Sequence, residues 1–461
     1  MSVPSAASWA RPAAAPPVRS LDRRVLGLAI PAIAENLLQT SLIVMDTVMI
    51  KQADPTSPIP LAAAALAGSL MWRGQMTVGC VEKGTSALAA RAIGAGDPER
   101  AARAVGQSLV LAVAAGLALT VVGVGLAPWL MRAVGASPEV AAAGVPFLRV
   151  VMAASVARML FGVAAAGLRA AGDTRTPMWI TLAMNAVNLA GNYALIGGHW
   201  GFPRMGLTGS AVATALGIVA AAAAALAAVA AGRGGFRVAP RHLRPDRATM
   251  AALLRVAAPS FAEEVIVSVG FLGATAAIAS LGTAAVAAHT VAMRVEALSY
   301  MGGFGFAVAA ATMVGQSLGA GDVAGARAAL RRCVWYCVGL MSAVAVGLIL
   351  GGHHVVDWFS PEDGATPALA GTLLLICALE QPLMAHFMTI GGGLRGAGDT
   401  LTPMAVSLWG NVIVRLALCH LALARGWGIE GIYWLVVADW LTRCLAIQWA
   451  FASGRWARVR V

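Results

Sequence analysis

Charged residues are scarce in this chain. Asp, Glu, Lys and Arg together make up 12% of its 461 residues, whereas they make up about a quarter of an ordinary soluble domain. Acidic residues are the scarcer sign, with 21 against 33 basic ones. Hydrophobic residues reach 59%, and the mean hydropathy is +0.77. This composition excludes a disordered protein and a typical soluble one, and it indicates a membrane protein.

The sequence also lacks signals for disulfides, catalysis or metal binding. The six cysteines all fall inside apolar runs, so no disulfide framework is expected. The sequence contains no nucleophile motif and no cluster of His, Asp or Glu with the spacing of a metal site. We therefore expect neither an enzyme nor a bound metal or cofactor.

Long apolar runs are abundant. Twelve of them reach roughly the 20 residues that a helix needs to cross a bilayer. The connections between the runs are short, which leaves no room for a soluble domain. The sequence predicts an all-α integral membrane protein with twelve transmembrane helices, at about 26–50, 61–92, 104–133, 140–170, 175–197, 206–232, 251–281, 284–318, 326–356, 365–396, 401–424 and 428–453.

The net charge of +12 is concentrated on one side of the predicted membrane. The predicted outer loops hold Lys51, Arg132, Arg204 and Arg425, whereas most other basic residues fall in inner segments. Because basic loops stay in the cytoplasm, both termini are expected there. The basic stretch 233–247 then meets anionic lipid rather than nucleic acid.

A fourteen-residue segment occurs twice. AAGLRAAGDTRTPM begins at Ala165 and GGGLRGAGDTLTPM begins at Gly391, 226 positions later. Three further pairs of similar segments follow the same order at nearly the same offset, among them GAGD at Gly94 and at Gly319. Each copy holds six predicted helices, so both halves have the same orientation in the membrane. Parallel repeats of this kind are typical of transporters, with the substrate site between the halves.

The repeat divides the chain into two lobes. Within the duplicated segment, Gly-Asp-Thr predicts a tight turn in which Asp or Thr caps the following helix. The expected organisation is a disordered cytoplasmic tail at 1–24, an N-lobe at 25–232, a basic cytoplasmic linker at 233–250, a C-lobe at 251–453 and a cytoplasmic tail at 454–461.

Polar residues on predicted helices 1, 5 and 6 gather toward the outer half of the N-lobe. Asn188 and Asn192 share one face of helix 5, and Asp46 and Thr214 lie at a similar depth. Such an oxygen-rich pocket with one carboxylate suits a proton or a monovalent cation. We therefore predict that Asp46, Asn188, Asn192 and Thr214 form a cation-coupling site. Two alternatives stay open: Asp46 extends toward the lipid headgroups, or the asparagines only join helices.

Further polar residues are expected to line a cavity between the lobes. Ionisable side chains inside spans are costly in lipid and mark functional sites. The predicted cavity residues are Glu35, Gln39, Asn185, Glu263, Glu264, Glu296, Tyr300 and Glu380.

Other charges on the predicted helices are expected to form pairs. Lys83 is positioned to neutralise Glu82 or a neighbouring acid, as a bridge across a gate would. Asp439 and Arg443 are four residues apart and are expected to form an internal ion pair.

The segments LAIPAIAENLLQTSLIVMDTVMI, GAGD, GLRAAGDTRTPM and GLRGAGDTLTPM resemble the multidrug and toxic compound extrusion (MATE) family, nearest its DinF-like branch. The resemblance covers nearly the whole chain. It implies a bacterial inner-membrane exporter of organic, often cationic compounds, driven by inward H+ or Na+. In some relatives the helix 1 aspartate pairs with a second aspartate in the pattern N-x-x-x-D. This chain reads NLAGN, so Asn192 replaces that aspartate, which favours H+.

An alternative keeps the fold but changes the cargo to a lipid-linked precursor. The basic residues Arg73, Lys83 and Arg294 would suit its phosphates, but such flippases usually have extra helices. A membrane enzyme or receptor is disfavoured because catalytic motifs and a sensory domain are absent from the sequence. The expected partners are small organic substrates and the lipid bilayer, and the chain is expected to be monomeric.

Overall fold

The computed structural model describes residues 18–359 and 365–459, and nearly all of this part is helical, with no strand. Twelve helices, α1 to α12, follow the order predicted from the apolar runs, and four of them are interrupted. Segments of an interrupted helix carry the letters a and b. The first lobe contains α1 Val18–Ala53, α2a Ile59–Val78, α2b Cys80–Gly94, α3a Pro98–Gly125, α3b Ala127–Ala133, α4a Pro138–Ala153, α4b Ser155–Ala170, α5 Arg175–Gly197 and α6 Gly206–Ala230.

The second lobe repeats this order with longer helices. One π-helical turn, Trp409–Val414, separates the two segments of its fifth helix. The lobe contains α7 Arg247–Ala279, α8 Thr283–Gly319, α9 Val323–Phe359, α10 Ala365–Gly396, α11a Leu401–Leu408, α11b Arg415–Ala424 and α12 Gly428–Ser453.

Most of the helices can cross a bilayer. Nine stretches of the described chain are long and apolar enough, and α4, bent by 45° between its segments, makes a tenth. The other two helices are α2, which is broken at Gly79, and α5, whose Asn185, Asn188 and Asn192 lower its hydropathy. Polar residues inside α5 are therefore the feature that sets it apart from an ordinary lipid-facing span.

Part of the predicted disordered tail is helical, and the predicted linker packs against the N-lobe. Helix α1 already begins at Val18, inside the stretch 1–24 predicted to be disordered; residues 1–17 lie outside the described part. The linker 233–250 packs Phe236 and Val238 into the core of the N-lobe. Gln107 Nε2 donates to two linker carbonyls, each at 2.7 Å. These contacts make the linker a fixed part of the N-lobe.

The duplicated segment forms the same turn in both lobes. Gly172 and Gly398 have positive φ angles of 91° and 86°, a backbone shape that favours glycine. Asp173 Oδ1 accepts a hydrogen bond from Thr176 N at 2.9 Å, and Asp399 Oδ1 accepts one from Thr402 N at 3.1 Å. The predicted capping by aspartate is confirmed in both copies.

We call the end of the molecule that carries these turns the inner end and the opposite end the outer end. At the inner end the lobes pack against each other through a symmetric crossing of α2b and α8. A Cβ on Gly94 would lie 1.9 Å from the Gln316 carbonyl oxygen, and one on Gly319 would lie 2.1 Å from that of Arg91. Glycine at both positions lets the helix backbones touch directly.

We expect Gly94→Ala to separate the lobes at the inner end. The new Cβ would overlap the Gln316 carbonyl, which belongs to a helix backbone and cannot turn aside. The distance between spin labels at positions Arg103 and Ala324, one on each lobe, should increase. Gly68→Ala is the matched control, because its Cβ meets no atom within 4 Å. Equal label distances in the two variants would contradict this close contact.

Candidate functional site

Asp46 of α1 belongs to a hydrogen-bonded group that joins α1, α5 and α6 near the outer end. Asn192 Nδ2 donates to Asp46 Oδ1 at 2.5 Å and to Asn188 Oδ1 at 3.1 Å. Thr214 Oγ1 donates to Asp46 Oδ2 at 3.2 Å and accepts from Asn188 Nδ2 at 3.0 Å. The four residues predicted as the cation-coupling site thus lie together around one carboxylate.

The interior of this group has an unused acceptor. Asn188, Asn192 and Thr214 are buried, and Asp46 is half-buried. Asn192 Oδ1 has no hydrogen-bond partner among the described residues, and such a buried acceptor is costly. If the amide turned over, Oδ1 would face Asp46 and could accept from a protonated carboxyl or contact a cation. The arrangement can therefore bind H+ or a small monovalent cation.

Asn185 lies two turns of α5 inward from Asn192, and its hydrogen bonds go to α1 rather than to the Asp46 group. Its Nδ2 donates to the Leu38 carbonyl at 2.7 Å and to Ser41 Oγ at 3.3 Å. The amide therefore holds the backbone of α1 against α5. This is interhelical bonding of the kind that the sequence left open for the asparagines.

Two glutamates predicted to line the cavity are paired with arginines inside their own lobes. Arg169 Nη1 donates to both carboxylate oxygens of Glu35, at 2.9 and 3.2 Å. In the other lobe, Arg395 donates to both oxygens of Glu263, at 2.6 and 3.3 Å, and Ser407 Oγ donates at 3.0 Å. The arginines occupy equivalent positions of the duplicated segment. The repeat therefore preserves one Arg–Glu pair in each lobe.

The expectation that Glu35 and Glu263 line a cavity differs from what the structure shows. They are only 3% and 4% exposed. A buried carboxylate needs a charged partner, and an arginine provides that partner for each glutamate. Sequence reasoning overlooked Arg169 and Arg395. A signal was present, since both arginines recur at nearly the same offset as the glutamates.

Lys83 of α2b connects the two lobes. Its Nζ lies 2.6 Å from Glu264 Oε1 on α7. Glu82, the first partner considered for it, instead lies beside Arg169, with 3.6 Å between Glu82 Oε2 and Arg169 Nη2. Of the two expected partners, the structure therefore selects the neighbouring acid, Glu264.

Glu296 of α8 and Glu380 of α10 meet inside the C-lobe instead of lining a cavity. They are 8% and 3% exposed. A carboxylate oxygen of each glutamate and the Cys377 sulfur all lie within 4.8 Å of one another. Cys377 Sγ contacts Glu296 Oε2 at 4.0 Å. Two carboxyl groups that are buried this close together cannot both ionise easily, so such a pair favours holding a proton.

Asp439 of α12 confirms one predicted pair and adds a partner. Arg443 Nε donates to its Oδ1 at 2.8 Å, and Arg415 Nε donates to its Oδ2 at 2.9 Å. The guanidinium of Arg443 also lies 4.5 Å from the ring centre of Trp440. The Arg415 contact crosses between α11 and α12, which the spacing along one helix could not indicate.

Gln39, Glu264 and Tyr300 are predicted cavity residues that remain partly exposed. The Tyr300 ring stacks edge-on against Phe304, with 5.7 Å between centres. The residues that follow Gln39 and Tyr300 also meet: Thr40 Oγ1 donates to Met301 Sδ at 3.5 Å, which links α1 to α8 across the lobes. Together with Asn185, they are the predicted cavity residues that are not buried in the described structure: Gln39, Glu264 and Tyr300.

Comparisons with known proteins agree with this architecture. The family model described as MatE matches residues 31–194 and 259–421, one match in each lobe and more than half of the chain. The chain is 29% identical to the probable multidrug resistance protein NorM of Thermotoga maritima, covering 96% of this chain and 94% of the relative. It is 31% identical to the multidrug resistance protein NorM of Burkholderia vietnamiensis, covering 96% of each chain.

A solved structure has the same fold. It is described as the outward-facing conformation of a multidrug resistance MATE family transporter of the MOP superfamily. The TM-score is 0.86 at 20% identity, and the match covers 95% of this chain and 97% of the other. Likeness at this identity shows the fold, which has two six-helix lobes.

Proposed function

The chain belongs to the MATE family of membrane transporters, and from that premise we propose that it exports organic cations in exchange for inward-moving protons. It is a multidrug efflux transporter, not an enzyme. The observation that carries the proposal of cation coupling is the Asp46 group: one half-buried carboxylate joined to α5 and α6 by hydrogen bonds. Binding or releasing a cation there changes the contacts that hold α1 in the N-lobe.

Two features of the Asp46 group support H+ over Na+. Both carboxylate oxygens already accept hydrogen bonds, from Asn192 and from Thr214. A metal ion would have to displace these donors, whereas a proton requires only that the hydrogen bonds around Asp46 rearrange. In addition, Asn192 stands where a second carboxylate would strengthen the attraction for Na+.

We place the inner end in the cytoplasm, on the distribution of basic residues. Since the lobes pack together at that end through Gly94 and Gly319, the structure corresponds to a state that is closed toward the cytoplasm. Alternating access would then require this crossing to separate, so that a substrate can enter from the cytoplasm.

Everted membrane vesicles test the proposal. Vesicles that contain the protein should take up ethidium when respiration acidifies their interior, and nigericin, which collapses the pH gradient, should stop the uptake. Vesicles without the protein are the control. Uptake that persists without a pH gradient and follows an imposed Na+ gradient would contradict proton coupling, and no uptake above the control would contradict the export of cations.

We expect Asn192→Asp to shift the pH optimum of export toward alkaline values and to slow export. The new carboxylate would lie where Asn192 Nδ2 now lies, 2.5 Å from Asp46 Oδ1. Two carboxyl groups at this distance share a proton and release it less readily. The shift is measured from initial rates of ethidium uptake at pH values from about 6 to about 9. A profile identical to that of the wild type would contradict a role for this position in proton binding.

A further inference from the structure

Lys83 and Glu264 form an ion pair that the movement of the lobes must break. Lys83 is on α2b in the N-lobe and Glu264 is on α7 in the C-lobe, and their charged atoms are 2.6 Å apart. The pairs of Glu35 and Glu263 with arginine lie within single lobes. Rigid-body separation of the lobes leaves those two pairs intact and parts Lys83 from Glu264.

The pair lies at the edge of the packed region. The side chains of Lys83 and Glu264 are 29% and 25% exposed, compared with 4% and 5% for Glu35 and Glu263. Directly beside Lys83, Gly84 packs against the Leu253 carbonyl, which closes the space toward the inner end. Lys83 and Glu264 are therefore partly accessible, unlike the buried pairs of arginine with Glu35 and Glu263.

Glu264 has one ion-pair partner in the described part of the chain. Within the described part of the chain, Lys83 is its sole ion-pair partner. Of the nearby acids, Glu263 has Arg395, and Glu82 lies beside Arg169, which it shares with Glu35. When the lobes part, Glu264 is thus the carboxylate left without a partner in the newly opened cleft, and an unpaired charge out of bulk water attracts a cation.

We infer that Glu264 receives the cationic group of a substrate entering from the cytoplasm, and that Lys83 is a tethered counter-ion which competes with the substrate. This inference rests on the proposed export of organic cations. In the inward-open state the substrate cation occupies Glu264. As the lobes close at the inner end, Lys83 returns to Glu264 and displaces the substrate toward the outer side. One positive charge accompanies Glu264 in both states.

Kinetics of ethidium uptake in everted vesicles separate this role from a structural one. Glu264→Gln should raise the KM about tenfold, because a charge-assisted contact worth about 1.4 kcal/mol is lost. Lys83→Gln should lower the KM and also lower kcat, because the competitor that drives release is gone. The double variant Lys83→Gln/Glu264→Gln should keep the high KM, since it still lacks the carboxylate.

A bridge that only stabilises the closed state makes the opposite prediction for the double variant. It should then recover a normal KM, because neither charge is left unpaired, and that result would overturn the inference. Asp22→Asn is the matched control: it breaks another pair between the lobes, Asp22 with Arg332, and should leave the KM unchanged. A KM raised equally by Asp22→Asn would also overturn the inference.

Ethidium uptake by the wild type shows whether a negative result refutes this inference or the proposed function. Ethidium uptake by wild-type vesicles together with a normal KM in Glu264→Gln would refute the inference alone. If wild-type vesicles take up no ethidium, the proposed function fails. Binding of ethidium to the purified protein, followed by fluorescence anisotropy, then still tests the inference, because Glu264→Gln should weaken binding and Lys83→Gln should tighten it.

Discussion

Asp46→Asn should abolish ethidium export driven by a pH gradient and leave a folded protein that still binds ethidium. Asparagine keeps the size of the side chain and can still accept from Thr214, so the contacts among α1, α5 and α6 largely persist. It cannot take up or release a proton, and it carries no charge to exchange. Uptake in everted vesicles should therefore fall to that of vesicles without the protein, whereas binding measured by anisotropy should change little.

A second aspartate provides the control for this substitution. Asp54 follows the outer end of α1 and accepts hydrogen bonds from Thr56 and Ser57 in an exposed loop. Asp54→Asn should export ethidium at the wild-type rate. Normal export by Asp46→Asn under a pure pH gradient would remove Asp46 from the coupling mechanism. The buried carboxyl pair Glu296–Glu380 would then be the next group to test.

Arg395→Met should destabilise the protein by about 3–5 kcal/mol, the cost of leaving a buried charge without its partner. Glu263 is 4% exposed, and Arg395 supplies two of its three hydrogen bonds. Methionine fills a similar volume but provides no charge. The variant should show a lower midpoint in a thermal unfolding experiment on the detergent-solubilised protein.

The double variant Arg395→Met/Glu263→Gln is the matched test of this explanation. Glutamine is neutral and can still accept from Ser407, so most of the lost stability should return. At the equivalent pair, Arg169→Met/Glu35→Gln should recover less of the lost stability, because Arg169 also lies beside Glu82, which would stay without its arginine. Equal unfolding midpoints for the single and double variants would show that packing, and not an unpaired charge, limits stability here.

Regular patterns along single helices were the most predictable feature. The apolar runs located all twelve helices, since lipid requires a long apolar stretch from each. The spacing of Asn188 and Asn192 on one face of α5, together with the depth of Asp46, was enough to place these residues together. Asp439 and Arg443 are four residues apart on one helix, so their pairing also followed from periodicity.

Contacts between distant helices were beyond such reasoning. Arg169 is 134 positions from Glu35, and Arg395 is 132 positions from Glu263, so helix geometry gives no hint of either pair. For the same reason Glu296 and Glu380 were expected in a cavity, whereas helix packing brings them to each other. A carboxylate in a span indicates that a partner exists, but only the packing of the helices identifies that partner.

The start of the first lobe was placed too late in the chain. The N-terminal stretch, rich in Ala and Pro, was assigned to a disordered tail that included residues 18–24. In the structure Asp22 pairs with Arg332 of the C-lobe, which extends α1 at its inner end. The linker was likewise treated as a connection, although Phe236 and Val238 are buried in the N-lobe. Two apolar residues within a basic segment were the available signal.

Proton movement coupled to substrate is the most direct test of the claim that Asp46 couples export to protons. The purified protein in proteoliposomes that enclose a pH-sensitive dye should move protons when ethidium is added, in the direction opposite to ethidium. This flux is expected for the wild type and for Asp54→Asn, and no flux is expected for Asp46→Asn. Ethidium transport by the wild type without any proton flux, or proton flux that survives in Asp46→Asn, would contradict the claim that Asp46 couples export to protons.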